Sequence, residues 1–308
     1  MDPFQAVMAL KTNIETVFKG KSEKVDLLLI CLLAGGHALL EDVPGVGKTT
    51  LAKTLALSLE AKFQRIQFTP DLLPSDVLGV SIYRQDKECF QFQRGPLFAN
   101  IVLADEINRT TPRTQSSLLE AMNELQVTAD GTTYTLPRPF MVLATQNPYE
   151  YEGTYPLPES QLDRFLLRFC LGYPAREEER LLISGSPQIS VLKPVLTCQE
   201  VLHIQDKVQQ VQMTPPLVTY LLDLAERTRK FDKIQIGVSP RGVILLSRAA
   251  KAKAFLHARD YCLPDDIKSL VVSAWSHRIL PKNSMGRRDS HQEESLMTQI
   301  LDSVPVPI

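Results

Sequence analysis

The segment LLEDVPGVGKTT, Leu39 to Thr50, decides how this chain is read. It joins a short apolar run to a stretch of helical periodicity through Pro44-Gly45-Val46-Gly47-Lys48-Thr49-Thr50, most of the phosphate-loop pattern G-x-x-x-x-G-K-[ST]. In such a loop the chain turns sharply from strand to helix, so that successive backbone N–H groups and the helix start face an anion. Gly45 and Gly47 permit the turn. Lys48 supplies a flexible point charge for the β- and γ-phosphates of a nucleotide, and Thr49 places a hydroxyl where Mg²⁺ would bind. One position departs: Asp42 stands where the pattern opens with glycine. Aspartate is among the residues that tolerate unusual dihedrals, so the departure need not close the site.

Around this loop, apolar runs alternate with helical patterns. HALLED (37–42), FQRIQF (63–68), NIVLADEI (100–107), FMVLAT (140–145) and FLLRFCL (165–171) are strand candidates, separated by helices such as TTLAKTLALSL and PRTQSSLLEAMNEL. That rhythm predicts an α/β fold with a parallel five-stranded sheet covered by helices. Two insertions interrupt it. GVSIYRQDKECFQFQRGPL (79–97) and VTADGTTYTLPRP (127–139) each read as a β-hairpin, the second through Asp130-Gly131; surface loops without function are the plain alternative. Beyond residue 174 only helices are expected, with start signals at Thr197, Thr214, Ser239 and Leu263-Pro264-Asp265. The expected domains are a core over 1–174, a small helical domain over 175–281, and a mobile tail over 282–308, where KNSMGRRDSHQEES is polar.

The bulk composition excludes several classes. Of 308 residues, 44% are hydrophobic and 22% charged, which suits a globular chain. A net charge of -1 gives no general pull toward nucleic acid. The longest apolar run, LLLICLLA (27–34), falls far short of the roughly 20 residues of a membrane span and reads as a buried helix. No leader pattern is visible at the N-terminus, so a cytoplasmic location is expected. Five cysteines without a C-x-x-C pair read as free thiols rather than a metal site.

Two further strand ends bear on the loop. IVLADEIN ends an apolar run in Asp105-Glu106, where the first carboxylate can serve a metal ion and the second can stand beside an attacking water. Surface acids are the alternative. ATQNP ends another strand in Asn147, an amide able to orient that water, or simply a turn residue before Pro148.

With these elements in chain order, the chain resembles the MoxR family of AAA+ ATPases. GHALLEDVPGVGKT, GPLFANIVLADEINRTTPRTQSSLLEAM, ATQNPYEYEGTYPLPESQLDRF and VSPRG carry the likeness, which runs from about Val17 to about Leu280. In that family glycine or aspartate opens the loop, while VFKGK, from Val17, departs from the usual V-G-Q near the adenine. The resemblance implies an AAA+ P-loop core followed by an all-α lid. It implies ATP and Mg²⁺ as cofactors, Pro44 to Thr50 around the phosphates, and Thr49 and Asp105 toward Mg²⁺. Glu106 becomes the catalytic base, Asn147 the first sensor, Arg164 in QLDRF the arginine finger, and Arg241 in SPRG the second sensor. Read without the resemblance, Arg164 could pair with Asp163 or Glu159 on the surface, and Arg241 could be a helix-start residue on a solvated face.

Relatives of this kind form rings, commonly hexamers, and act as chaperones that mature partner complexes, often with proteins bearing a von Willebrand factor A domain. The resemblance therefore implies an ATP-driven remodelling factor whose two hairpins face a protein client. Two rivals stand beside it. One is a nucleic-acid motor using the basic residues of ERTRKFDK and HRILPKNSMGRRD, although neighbouring acids favour a solvated face there. The other is a nucleotide-gated scaffold without turnover.

Overall fold

The computed structural model describes residues 2–148, 153–183, 192–282 and 288–307. Two helices open the chain, α1 (Pro3–Val17) and α2 (Ser22–Leu33), and the apolar run of α2 is buried from Leu28 to Leu33. The alternation then follows in order. It comprises β1 (Ala38–Glu41), α3 (Lys48–Ser58), β2 (Phe63–Gln67), α4 (Pro74–Leu78), a hairpin of β3 (Gly79–Arg84) and β4 (Cys89–Arg94), and β5 (Ile101–Asp105). It continues with α5 (Pro112–Glu124), a second hairpin of β6 (Gln126–Ala129) and β7 (Thr132–Thr135), β8 (Met141–Gln146), α6 (Glu159–Leu162) and β9 (Leu167–Phe169).

The five apolar runs form one parallel sheet in the order β2-β5-β8-β1-β9. β5 is buried throughout, as a parallel strand covered on both faces must be. The register sets Glu41 level with Gln146 and Gln67 level with Asp105, so all the strands end along one edge. Their starts, including Ala38 level with Leu167, lie along the opposite edge.

Both insertions are hairpins. Asp130 and Gly131 take φ of 50° and 74°, the left-handed pair that a two-residue turn requires. Phe92 of the first hairpin stacks on Tyr134 of the second at 4.4 Å, which joins the two. Val80, Ile82, Tyr83 and Phe90 of the first remain exposed.

After β9 come α7 (Arg176–Ile183), α8 (Cys198–Gln210), α9 (Pro215–Lys230), α10 (Pro240–Leu256) and α11 (Pro264–Trp275). The Thr197 hydroxyl accepts from the Glu200 N–H at the start of α8, and Ser239 accepts from the Gly242 N–H at the start of α10. The expectation of helices alone needs correction. β10 (Ile234–Ile236) and β11 (Leu280–Pro281) form a small antiparallel pair, with one buried apolar residue, Ile234, in a strand too short to show a period.

The expected mobile tail is corrected as well. Residues 283–287 lie outside the described residues, but Ser290–Ser303 form α12, capped by Asp289 and buried along Leu296, Met297 and Ile300. Glu293, fully buried, interrupts that stripe and hides its period. It is ion-paired with Arg168 of β9 at 2.8 Å and with Arg288 at 3.1 Å. No described helix is long and apolar enough to cross a membrane.

Candidate nucleotide site

The loop after β1 begins with the residue that broke the sequence pattern. Asp42 is buried and its carboxylate accepts the backbone N–H groups of Leu171 and Gly172, the latter at 3.1 Å, just beyond β9. Aspartate is therefore held at this position by its side chain and not by dihedral freedom, since it is absent from the positive-φ residues. Gly45 and Gly47 supply the turn with φ of 88° and 98°, and a Cβ on Gly47 would stand 3.2 Å from the Phe18 ring. Gly47 caps α3, so the first N–H groups of that helix face the loop.

Lys48 folds back into this turn, and its Nζ donates to the carbonyls of Asp42 (2.9 Å) and Val43 (3.3 Å). A buried ammonium held by carbonyl dipoles strongly attracts an anion. Beside it, Phe18, Lys21, Gly45, Thr50, Pro174 and Glu178 line a cavity of about 180 Å³ with apolar and polar walls, a fit for a base. Burial pushes the Lys21 ammonium below its usual range, opposed by Asp42 and Glu178. The VFKGK stretch thus lines the cavity beside the loop.

The acid pair is set by neighbours on both sides. β8 lies between β1 and β5, which brings the tips of the three strands together. The Thr145 hydroxyl donates to Asp105 Oδ1 (2.6 Å) and accepts the N–H of Glu106 (2.9 Å), so one side chain of β8 orients both acids. From β2, Arg65 donates to Asp105 Oδ2 (2.6 Å) and Gln67 to Glu106 Oε2 (2.7 Å), and Arg109 stands 3.3 Å from the same oxygen. Glu106 is held at φ 57° and ψ 50°, a left-handed conformation that costs a non-glycine residue roughly 1–3 kcal/mol and turns the strand end sharply. Asn147 is buried directly after β8. The hydroxyl of Thr49 and the carboxylate of Asp105 are hard oxygen donors, the set that suits Mg²⁺.

The two arginines lie elsewhere. Arg164 precedes β9 and so sits at the sheet edge where strands begin, on the order of 10 Å from the loop edge at roughly 3.3 Å per residue. It donates to the Leu119 carbonyl in the second half of α5. Arg241, exposed in the first turn of α10, is its neighbour. Burial first, and then the like charge of Arg241, hold Arg164 below the usual arginine range, with Glu120 and Glu124 opposing. Neither arginine lines the cavity beside Lys48. Nor does Asp163 supply a simple surface ion pair for Arg164, because its carboxylate goes to Arg278 and Ser239.

A protein of Mycobacterium tuberculosis named Chaperone MoxR1 is 39% identical over 96% of this chain and 81% of its own length. The chain belongs to the MoxR family of AAA+ ATPases. The family described as "ATPase family associated with various cellular activities (AAA)" matches residues 37–167, and "AAA lid domain" matches 226–300, which takes in much of α12. A Bacillus subtilis protein named YeaC is 50% identical over 96% of this chain and 93% of its own. A crystal structure of a Cytophaga hutchinsonii protein named as an ATPase superposes with a TM-score of 0.90 at 39% identity, covering 99% of this chain and 96% of that one. The fold is thus that of an AAA core with its helical lid, and nucleotide binding follows from the family.

Sequence reasoning missed Arg65, Gln67, Thr145, Pro174 and Glu178. A signal existed for the first two, since FQRIQF places polar residues at a period of two beside an apolar strand. Several of the basic residues once open to a nucleic-acid reading are engaged within the chain, while Arg287 lies outside the described residues. Arg227 donates to Ser303, Arg229 to the Val238 carbonyl, Lys230 pairs with Glu226, and Arg278 and Arg288 are tied into the fold.

Proposed function

We propose that this protein is an Mg²⁺-dependent ATPase that works as a ring, most simply a hexamer, and remodels protein clients in the cytoplasm. The observation that carries this reading is the division of the proposed machinery between the two edges of the sheet. Lys48, Thr49, Asp105, Glu106 and Asn147 stand at one edge, whereas Arg164 and Arg241 stand at the other. A chain built this way completes its site by meeting a second copy.

At the first edge, the backbone from Pro44 to Thr50 and the Lys48 ammonium would hold the phosphates, and Thr49 and Asp105 would hold Mg²⁺, which would supply positive charge to the transferring phosphoryl group. Glu106 takes a proton from a water that the Asn147 amide orients. The arginines of the adjoining subunit meet the charge that gathers on the γ-phosphoryl group, a contribution of about 10³ to 10⁵ in rate for arginine fingers. Phe18, Lys21 and Pro174 enclose the base.

The exposed Val80, Ile82, Tyr83 and Phe90 make the first hairpin an apolar probe, suited to a protein client and not to a phosphate backbone. The name of the tuberculosis relative supports a chaperone role, and proteins with a von Willebrand factor A domain are the partner class to examine first. Phosphate release is the test. Glu106→Gln is expected to bind ATP and release no phosphate, and Lys48→Ala to lose ATP binding. Unchanged turnover in Glu106→Gln contradicts the role of Glu106 as base, and unchanged ATP affinity in Lys48→Ala contradicts the role of Lys48 as phosphate ligand.

A further inference from the structure

Behind the arginine pair lies a guanidinium that the chemistry above does not use. Arg278, just beyond α11, is buried at 5% exposure. Its Nε donates to Asp163 Oδ1 (3.0 Å), its Nη2 to the carbonyls of Asp163 (3.1 Å) and Phe165, and its Nη1 to those of Leu166 (3.3 Å) and Ala274. Nη1 also lies 2.8 Å from His277 Nε2. Each N–H of the side chain thus meets a partner, and apart from Ala274 and His277 these partners belong to segment 163–166, which carries Arg164.

Asp163 extends the connection. Its carboxylate accepts from the Ser239 hydroxyl at 3.0 and 3.1 Å, and the same hydroxyl accepts the Gly242 N–H (3.0 Å) that caps α10, the helix whose first turn carries Arg241. On the other side the Leu166 N–H donates to the His37 carbonyl (2.8 Å), which fixes the segment to the sheet. Burial pushes Arg278 down to about 10, with Asp163 opposing, so the side chain is charged at neutral pH. Stability alone gives little reason for a buried charge at this place, because apolar packing commonly serves as well. A planar fan of donors supplies direction instead.

We infer that Arg278 is a positioning residue for the arginines that serve the neighbouring subunit. Through Asp163 it locks the segment of Arg164 and the helix of Arg241 into one rigid edge, so the neighbour meets both guanidinium groups in a fixed relation. The inference rests on the reading that Arg164 and Arg241 act across the subunit interface.

The test uses the assembled full-length protein and two variants. Arg278→Lys replaces the fan by a point donor, and Asp163→Asn removes the charge while leaving an acceptor for Ser239. Each is expected to bind ATP within about twofold of the parent yet lose about 10- to 100-fold in turnover, the scale of a displaced catalytic group. Mixing either with Glu106→Gln subunits restores turnover, because the intact arginine edge of Glu106→Gln then serves the intact loop of the variant. Arg164→Ala in the same mixture is the reference. If Arg164→Ala is not rescued, the trans reading fails and the positioning role falls with it. If Arg164→Ala is rescued while Arg278→Lys and Asp163→Asn keep full turnover, lose ATP affinity, or show only a lower thermal midpoint without rescue, the positioning role alone is overturned. Should Arg278→Lys not assemble, Asp163→Asn decides.

Discussion

Restoring the glycine that the phosphate-loop pattern calls for should damage this protein. In Asp42→Gly, the N–H groups of Leu171 and Gly172 lose a charged acceptor. Hydrogen bonds to charged groups contribute about 1.5–3 kcal/mol each. Leu171 is buried and its donor is left without a partner, whereas the half-buried Gly172 can regain water, so the pair is worth about 2–4 kcal/mol. The added backbone freedom of glycine in the unfolded chain costs up to about 1 kcal/mol more. The urea midpoint without nucleotide should therefore fall by an amount equivalent to roughly 2–5 kcal/mol, and that of Asp42→Asn, which keeps a neutral acceptor, by about half as much. Because Lys48 donates to the backbone carbonyl of Asp42, whose position the side chain anchors, ATP affinity should fall in Asp42→Gly as well. An Asp42→Gly protein within about 0.5 kcal/mol of the parent refutes the role assigned to this carboxylate.

Three other outcomes are expected. Glu293→Ala leaves the buried Arg168 with Glu41, 3.6 Å away, as its ion-pair partner among the described residues, so it should cost about 3 kcal/mol in denaturant unfolding and open α12 to protease; an unchanged midpoint rejects the docking of α12. Thr145→Val should lower turnover and apparent Mg²⁺ affinity by about 10- to 100-fold, through Asp105 and Glu106, with little change in nucleotide affinity; full activity contradicts the reading. Burial pushes the His37 imidazole from 6.5 down to about 4, and His277 is pushed well down by burial and by Arg278 and Arg168. The unfolded chain takes up these protons first, so stability present above pH 6.5 drains as pH falls toward 4, on the order of 3 kcal/mol for His37. His37→Gln should flatten the fall in urea midpoint between about pH 7.5 and about pH 5, and parallel profiles exclude the assignment.

The sheet was legible because β5 and β8 are near-continuous apolar runs and the other strands carry apolar residues between turn signals, and the loop and acid pair were legible because they end such segments. Asp42 was visible as a departure, but its reason lies in two N–H groups 129 and 130 residues away, which no local pattern reports. α12 escaped because its apolar stripe includes Glu293, a carboxylate that burial tolerates only beside Arg168 and Arg288. The basic run that includes Arg278 reads as a solvated face for the same reason: a charge discloses its sign in the sequence and its partner only in the fold. Arg164 and Arg241 were found through their motifs. That Arg164 stands opposite the loop follows from strand order and direction, and Arg241 joins it through the bond of Ser239 to Asp163.

The most direct measurement is a structure of the assembled Glu106→Gln protein with ATP and Mg²⁺. It should show the γ-phosphate between Lys48 and Asn147 of one subunit and Arg164 of the adjoining one, with Arg241 of that neighbour beside it. Nucleotide bound away from Lys48, or an Arg164 that reaches the phosphates held by its own chain, would contradict a site divided between two copies.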